Sequence, residues 1–328
     1  MIVLRLVAMR ILQGIPLVLG VSAVTFFLIF ASPGNYVSNL RAANPNMSDR
    51  EFVLLQQRLG ITPDARWYET WAKWVGGIIT RGELGTSFRN GRPVNRILGD
   101  AMGATALLGF ASMAIAWTIA IPLGMLAAIR RNTFMDYGAS GIAFLGLSVP
   151  PIVLAALALM LADSTGWFPP GDMTSKDHHL LRTRWDRWMD IGHHLILPAL
   201  VLAAGSMASL TRQMRSNLLE TLEADFVRTA RAKGISFTWA VLGHAFRNAI
   251  NPLITILGFS IAGLLSGAFL VEAIMNWPGL GRIIYDAYQA KDMYVVAVGV
   301  VMGTVMLLIG NLISDILLMA NDPRIRMN

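Results

Sequence analysis

The segment DFVRTARAKGIS, residues 225–236, puts Arg228, Arg231 and Lys233 within six positions of a chain that is otherwise mostly apolar. Three cations this close can attract an acidic protein surface, anionic lipid or nucleic acid. Nucleic acid is set aside, because charges flanked by long apolar segments meet anionic lipid first. Few other groups suggest chemistry. The pairs His178/His179 and His193/His194 share one polar loop, but adjacent residues point apart and a metal needs converging ligands, so no metal site is expected. The role of these histidines stays open. The chain has no cysteine, hence no thiolate nucleophile, disulfide or Cys-based zinc site. No HExxH, GxSxG or GxxxxGKS/T pattern occurs, so no catalytic residue or bound cofactor is expected, and any nucleotide energy must come from another chain.

The elements that position this cluster follow from composition. Of 328 residues, 55% are hydrophobic and only 14% charged, which marks a membrane protein. Six apolar runs reach or approach the ~18 residues needed to cross the bilayer: 11–31, 101–128, 138–162, 195–211, 253–274 and 295–320. The first resembles a signal peptide ending in ASPG, but its apolar core is longer than an h-region, so an uncleaved span is preferred. Six spans put both termini on one side, and the higher density of Lys and Arg there makes that side cytoplasmic. The expected organisation is an all-α membrane protein. Residues 1–31 form a cytoplasmic segment and first transmembrane helix, 32–100 an external region, and 101–328 a five-helix core with a cytoplasmic loop at 212–250.

Within the external region Trp67, Trp71 and Trp74 repeat at i, i+4 and i+7, one face of a helix, suited to an interfacial anchor or the core of a small cap. In the third run Pro150 and Pro151 remove backbone donors and should kink or break the helix, which suits a pore-lining position or close helix packing. Span interiors are nearly uncharged, unlike those of a secondary transporter. Asp315, four residues after Asn311 in the sixth run, is expected to meet a neighbouring helix. Glu272, near the outer end of the fifth, is a candidate for lining a translocation path.

The loop that carries the cations is punctuated. Asp225 can cap a helix of about two turns, Arg231 and Lys233 complement its C-terminal dipole, and Gly234 supplies a left-handed stop. So short a helix is marginal by itself, so something must hold it. Ser236 or Thr238 can cap a second helix, with Trp239, Leu242 and Phe246 on a face expected to lie against the spans.

With these residues in view, the chain resembles the permease subunits of bacterial ABC importers in the dipeptide, oligopeptide and nickel family. The resemblance runs through GIPLVLGVSAVTFFLIFASPGN, RGELGTSFRNGRPV, ADFVRTARAKGIS with HAFRNAINPLIT, WPGLGRIIYDA and the terminal DPRIR, in order and over essentially the full length. It implies a type I importer permease fold in the bacterial inner membrane, with Asp225, Arg228, Thr229, Ala230, Arg231, Ala232, Lys233 and Gly234 forming a coupling helix for an ATP-binding subunit. It further implies a second homologous permease, two ATP-binding subunits that hold ATP and magnesium, and an external substrate-binding protein. The broader importer pattern has a Glu-Ala-Ala before its glycine; here the glutamate is absent, and no salt bridge is carried over for it. Peptides are the expected cargo; nickel, oligosaccharides and opines stay open, and a secondary transporter is a remote alternative.

Overall fold

Apolar runs in a bilayer must pair every backbone N–H and C=O internally, and this chain does so by helices. The computed structural model describes residues 2–61, 65–181 and 183–321; the DPRIR segment, 322–326, lies outside the described residues. Helix α1 (Ile2–Ala31) leads to three shorter helices, α2 (Tyr36–Ala43), α3 (Asp49–Leu59) and α4 (Trp67–Arg81). Then come α5 (Val94–Ile129), α6 (Phe134–Ser148), α7 (Pro151–Thr165) and α8 (Arg184–Leu222). A short stretch follows with α9 (Asp225–Ala232), α10 (Phe237–Trp239), a π turn at Ala240–Ala245 and α11 (Phe246–Ala249). Finally α12 (Asn251–Ile274), α13 (Leu280–Ala290) and α14 (Met293–Asn321) complete the chain. Among the described residues the only β feature is an isolated bridge between Thr86 and Pro93.

Four stretches of the described residues are long and apolar enough to cross a membrane, within 7–43, 94–129, 184–222 and 293–313. The third apolar run is broken as the prolines require. Helix α6 ends at Ser148, Pro150 is extended (φ −57°, ψ 141°), and Pro151 starts α7 where its missing N–H costs nothing. Helix α8 differs from expectation. It continues through Leu222 instead of ending near 211, so the first part of the expected loop is helix, and its 39 residues reach about 58 Å at ~1.5 Å per residue. The capping box at Thr183 and Asp186 fixes its start.

Helices α5 and α8 share the most extensive contact of the fold, with Ala116, Ala120 and Ala128 of α5 against Leu210, Met214 and Leu218 of α8. Helix α14 packs along α12 and α1. Asp315 meets a neighbouring helix through an ion pair: its carboxylate lies 2.7 Å from the Arg10 guanidinium of α1. The tryptophan face of α4 also lies on α1. Trp71 Nε1 donates to Ser22 Oγ at 2.9 Å, and the Trp74 and Phe26 rings sit 5.2 Å apart.

Candidate functional site

Helix α9 is strongly two-faced. Val227 is buried in the cluster that joins α5, α8 and the Ala240–Ala245 π turn, and Ala230 is buried beside it on the same face, which supplies the support so short a helix needs. At about 100° per residue, Asp225, Arg228, Thr229 and Ala232 repeat at i, i+3, i+4 and i+7 on the opposite face, and all four are exposed. The two alanines therefore divide: Ala230 packs inward, while Ala232 and Thr229 leave a low surface outward. Asp225 is not the cap that the sequence suggests. Ala224 holds that position with no side-chain bond, and Asp225 is the first helical residue, where its charge complements the dipole instead. Gly234 ends the helix as expected, at φ +87°. That left-handed turn lets the Gly234 N–H reach Arg231 O at 3.0 Å and the Ile235 N–H reach Ala230 O at 3.3 Å. Arg231 leaves the open face and lies over the Phe237 ring, 5.4 Å from its centre. Lys233 is exposed at the C-cap.

The second amphipathic element is rotated relative to expectation. Ser236 occupies the N-cap position without a side-chain bond, and Trp239 (71% exposed) and Leu242 (52%) face outward. Phe246 alone of the predicted face packs against the α5/α8 cluster. The π turn widens the helix by one residue and shifts its register, so that Ala240, Val241, Ala245 and Ala249 turn inward. Small side chains let this segment approach closely, and Asn217 Nδ2 of α8 fastens it by donating to Ala249 O at 3.1 Å.

Helix α9 is thus fixed on one face and open on the other. Residues 120–327 match the family described as "Binding-protein-dependent transport system inner membrane component". The chain belongs to this family. It is 37% identical to the oligopeptide transport system permease protein AppB of Bacillus subtilis (strain 168), over 96% of this chain and 97% of that one. It is 33% identical to the dipeptide transport system permease protein DppB of Escherichia coli (strain K12), covering 98% and 99%. The similarity to the di/tripeptide transport system permease protein DppB of Pseudomonas aeruginosa (strain UCBPP-PA14) is 34%, over 98% and 99%. The chain is thus a multi-pass permease of the bacterial inner membrane, a transport subunit whose ATP hydrolysis lies in other subunits.

In this permease Pro150 and Pro151 are both exposed at the α6/α7 break. Glu272 is placed differently from expectation. It is 0% exposed and presents no atom to a path along the chain surface. Its carboxylate accepts from Thr105 Oγ1 at 2.7 Å, from the Gly281 N–H at 2.7 Å and from the Arg282 N–H at 3.3 Å. Thr105 Oγ1 in turn accepts from the Leu280 N–H at 2.7 Å, and Trp277 Nε1 donates to Ala104 O at 2.9 Å. The WPGLGR segment is thereby clamped onto α5, and Gly279 is required because a Cβ there would stand 2.2 Å from the Glu272 carboxylate. A buried carboxylate with three donors is an anchor by chemistry.

Three further fastenings escaped the sequence. Arg215 of α8 grips Asp136 of α6 in a fork, with Nε–Oδ1 at 2.5 Å and Nη2–Oδ2 at 2.8 Å. The Arg215 guanidinium, opposed by burial and helped by the Asn132 N–H, holds the Asp136 carboxyl down at about 2. Asp190 receives His178 Nδ1 at 2.7 Å and two contacts from the Ser175 N–H, closest at 3.0 Å. His194 is bonded to Asp190 O and His193 to Trp167 O, and among the described residues no three ligand side chains converge as a metal shell. Lastly, Ser87 Oγ of the GTS segment donates to Asp292 Oδ2 at 2.5 Å, across 205 residues.

Proposed function

We propose that this permease forms one half of the translocation pathway of an ATP-driven peptide importer, and that α9 is its coupling helix. It would pair with a second homologous permease, two ATP-binding subunits carrying ATP and magnesium, and an external substrate-binding protein, while binding no cofactor itself. The relatives are oligopeptide, dipeptide and di/tripeptide permeases, which supports peptides over nickel, oligosaccharides or opines. The chain would cross the membrane six times with both termini cytoplasmic, which puts α9 on the side of the ATP-binding subunits and residues 32–100 outside.

The single observation that carries this reading is the division of α9. One face is fixed into the bundle by Val227 and Ala230; the other offers Asp225, Arg228, Thr229 and Ala232 to a partner. A groove that receives the open face pushes directly on α8 through the buried one. Closure of the ATP-binding pair would move α9, the α5/α8 unit would follow, and the pathway would alternate between its two openings. The exposed Pro150–Pro151 break supports a place beside that pathway, since interrupted helices in membranes persist where protein or water covers the freed backbone groups.

Ala232→Trp tests the docking. The residue is exposed, so the bulky ring leaves the fold intact while preventing close approach of a partner. Peptide uptake and binding-protein-stimulated ATP hydrolysis should fall at least tenfold, with unchanged amounts of permease in the membrane. Normal uptake by the tryptophan variant would remove α9 from the coupling path.

A further inference from the structure

Between α1, α4 and α14 runs a groove of about 530 Å³, walled chiefly by Ile15, Val18, Ile78, Val301, Val305 and Ile309. Gly14 supplies part of its floor without a side chain, where an added Cβ would stand 2.7 Å from Leu308 Cδ1. Of the lining side chains only Arg10, Ser22 and Trp74 carry polar atoms. Two of these are satisfied within the protein: Ser22 Oγ donates to Leu19 O at 2.8 Å and accepts from Trp71 Nε1, and Trp74 Nε1 donates to Leu84 O at 3.0 Å. Water along this floor would lack the roughly two to four polar partners it needs. The open edge, with Ile15 52%, Val305 40% and Ile309 45% exposed, belongs to two of the stretches able to cross the membrane, so hydrocarbon is its solvent.

One end of the groove is polar. Arg10 lines it, and Asp315 stands one turn beyond Leu312 of the wall, on the same face of α14. Both contacts of their ion pair, from Arg10 Nε at 2.8 Å and from Nη2 at 2.7 Å, fall on Asp315 Oδ2. Asp315 Oδ1 and Arg10 Nη1 keep their bonding capacity, and the two side chains are 23% and 40% exposed. From Arg10 to Ser22 the groove follows about 18 Å of α1 at ~1.5 Å per residue. One leaflet holds about 15 Å of hydrocarbon, half of the ~30 Å core.

We propose that this groove holds an acyl chain of a phospholipid with a primary-amine zwitterionic headgroup, of the phosphatidylethanolamine class, from the leaflet on the N-terminal side of α1. Arg10 Nη1 donates to the phosphate, and Asp315 Oδ1 accepts from the ammonium. The ion pair selects the headgroup. A purely anionic lipid meets the Asp315 carboxylate as well as the arginine, and a choline headgroup has no N–H to donate. The lipid fills the seam where α1, α4 and α14 meet. It goes beyond the transport role proposed above and depends neither on the cargo nor on the coupling role of α9.

The test uses the assembled transporter, stripped of lipid in mild detergent and titrated with dipalmitoyl phosphatidylethanolamine, phosphatidylcholine or phosphatidylglycerol under native mass spectrometry. The first ethanolamine lipid should bind about tenfold more tightly than either of the others, as one charge-assisted hydrogen bond allows. Asp315→Asn should bring it down to the level of the choline lipid. Val305→Trp, which places a ring in the open groove, should remove the tight site for every headgroup. Val305 is 40% exposed, so this variant and the lipid comparison on native permease carry the test even if Asp315→Asn, which also loosens Arg10, does not assemble. Equal binding of the three lipids to the native transporter, tightest binding of phosphatidylglycerol, or native binding by Val305→Trp overturns the site. The photoreactive residue p-benzoylphenylalanine placed at Ile309 in cell membranes should cross-link to lipid. Cross-linking to the second permease instead overturns the site in favour of that subunit as the occupant.

Discussion

Gly234→Val challenges the mechanical role of α9 at one bond. The glycine sits at φ +87°, and a Cβ built there meets nothing within 4 Å, so a substitution is opposed by backbone strain alone. A left-handed conformation costs an L-residue about 1–2 kcal/mol, with a β-branched side chain at the upper end and asparagine well below it. Helix α9 has only eight residues, and its last carbonyls depend on this turn, through Gly234 N–H to Arg231 O and Ile235 N–H to Ala230 O. A penalty of ~1–2 kcal/mol lowers the population of the native turn relative to unwound alternatives by a factor of about 5–30. The open face would then meet a partner in the wrong orientation. In proteoliposomes containing the whole transporter, uptake per ATP hydrolysed should fall in the order glycine, asparagine, alanine, valine, while the melting temperature of the membrane bundle changes little. Valine with native coupling, or asparagine as damaging as valine, would falsify the assignment of the turn.

Asp136→Asn should destabilise the α6/α8 contact by roughly 2–3 kcal/mol, below the full cost of breaking a buried pair because Arg215 keeps 29% of its side chain exposed. The folded carboxyl titrates at about 2, under the ordinary value, so its contribution is complete above the ordinary value and is lost only as pH falls through about 2. Melting of the native protein in detergent between pH 5 and 8 should therefore owe no slope to this pair; a slope there that Asp136→Asn abolishes contradicts the assignment. Glu272→Ala strands the Thr105, Gly281 and Arg282 donors and should cost roughly 3 kcal/mol or more, seen as poor folded yield. A pathway-lining role predicts the reverse, normal yield with altered transport. Because the native chain lacks cysteine, single cysteines at Lys176 and Lys233 report topology directly. An impermeant maleimide should label the first from outside the cell and the second only after lysis; the opposite pattern inverts the six-span arrangement.

Much of α9 was legible because its determinants are local. The Gly234 stop and the two-turn length depend on neighbours within one helical turn. The Asp225 cap failed by one position, since the competition between Ala224 and Asp225 for the N-cap is settled by how α8 hands the chain over at Glu223. The Trp239, Leu242 and Phe246 face failed because a 3.6-residue period was assumed where a π turn intervenes, and small residues won the buried side. The outer fastenings left no readable pattern: Glu272 reads in sequence as a candidate for lining the path, and nothing near Asp292 in the chain announces Ser87 as its partner.

The sequence by itself determined that the chain is helical and lives in a bilayer, where the prolines interrupt it, and where a two-turn helix ends at Gly234. Hydropathy, ring constraints and glycine sterics act between near neighbours, so they can be read in order. Only the tertiary structure decided which polar groups are anchors. Arg215 finds Asp136 across 79 residues, Thr105 finds Glu272 across 167, and Arg10 finds Asp315 across 305. Each carboxylate takes its role from donors brought to it by helix packing, and a linear chain does not display which helices will touch.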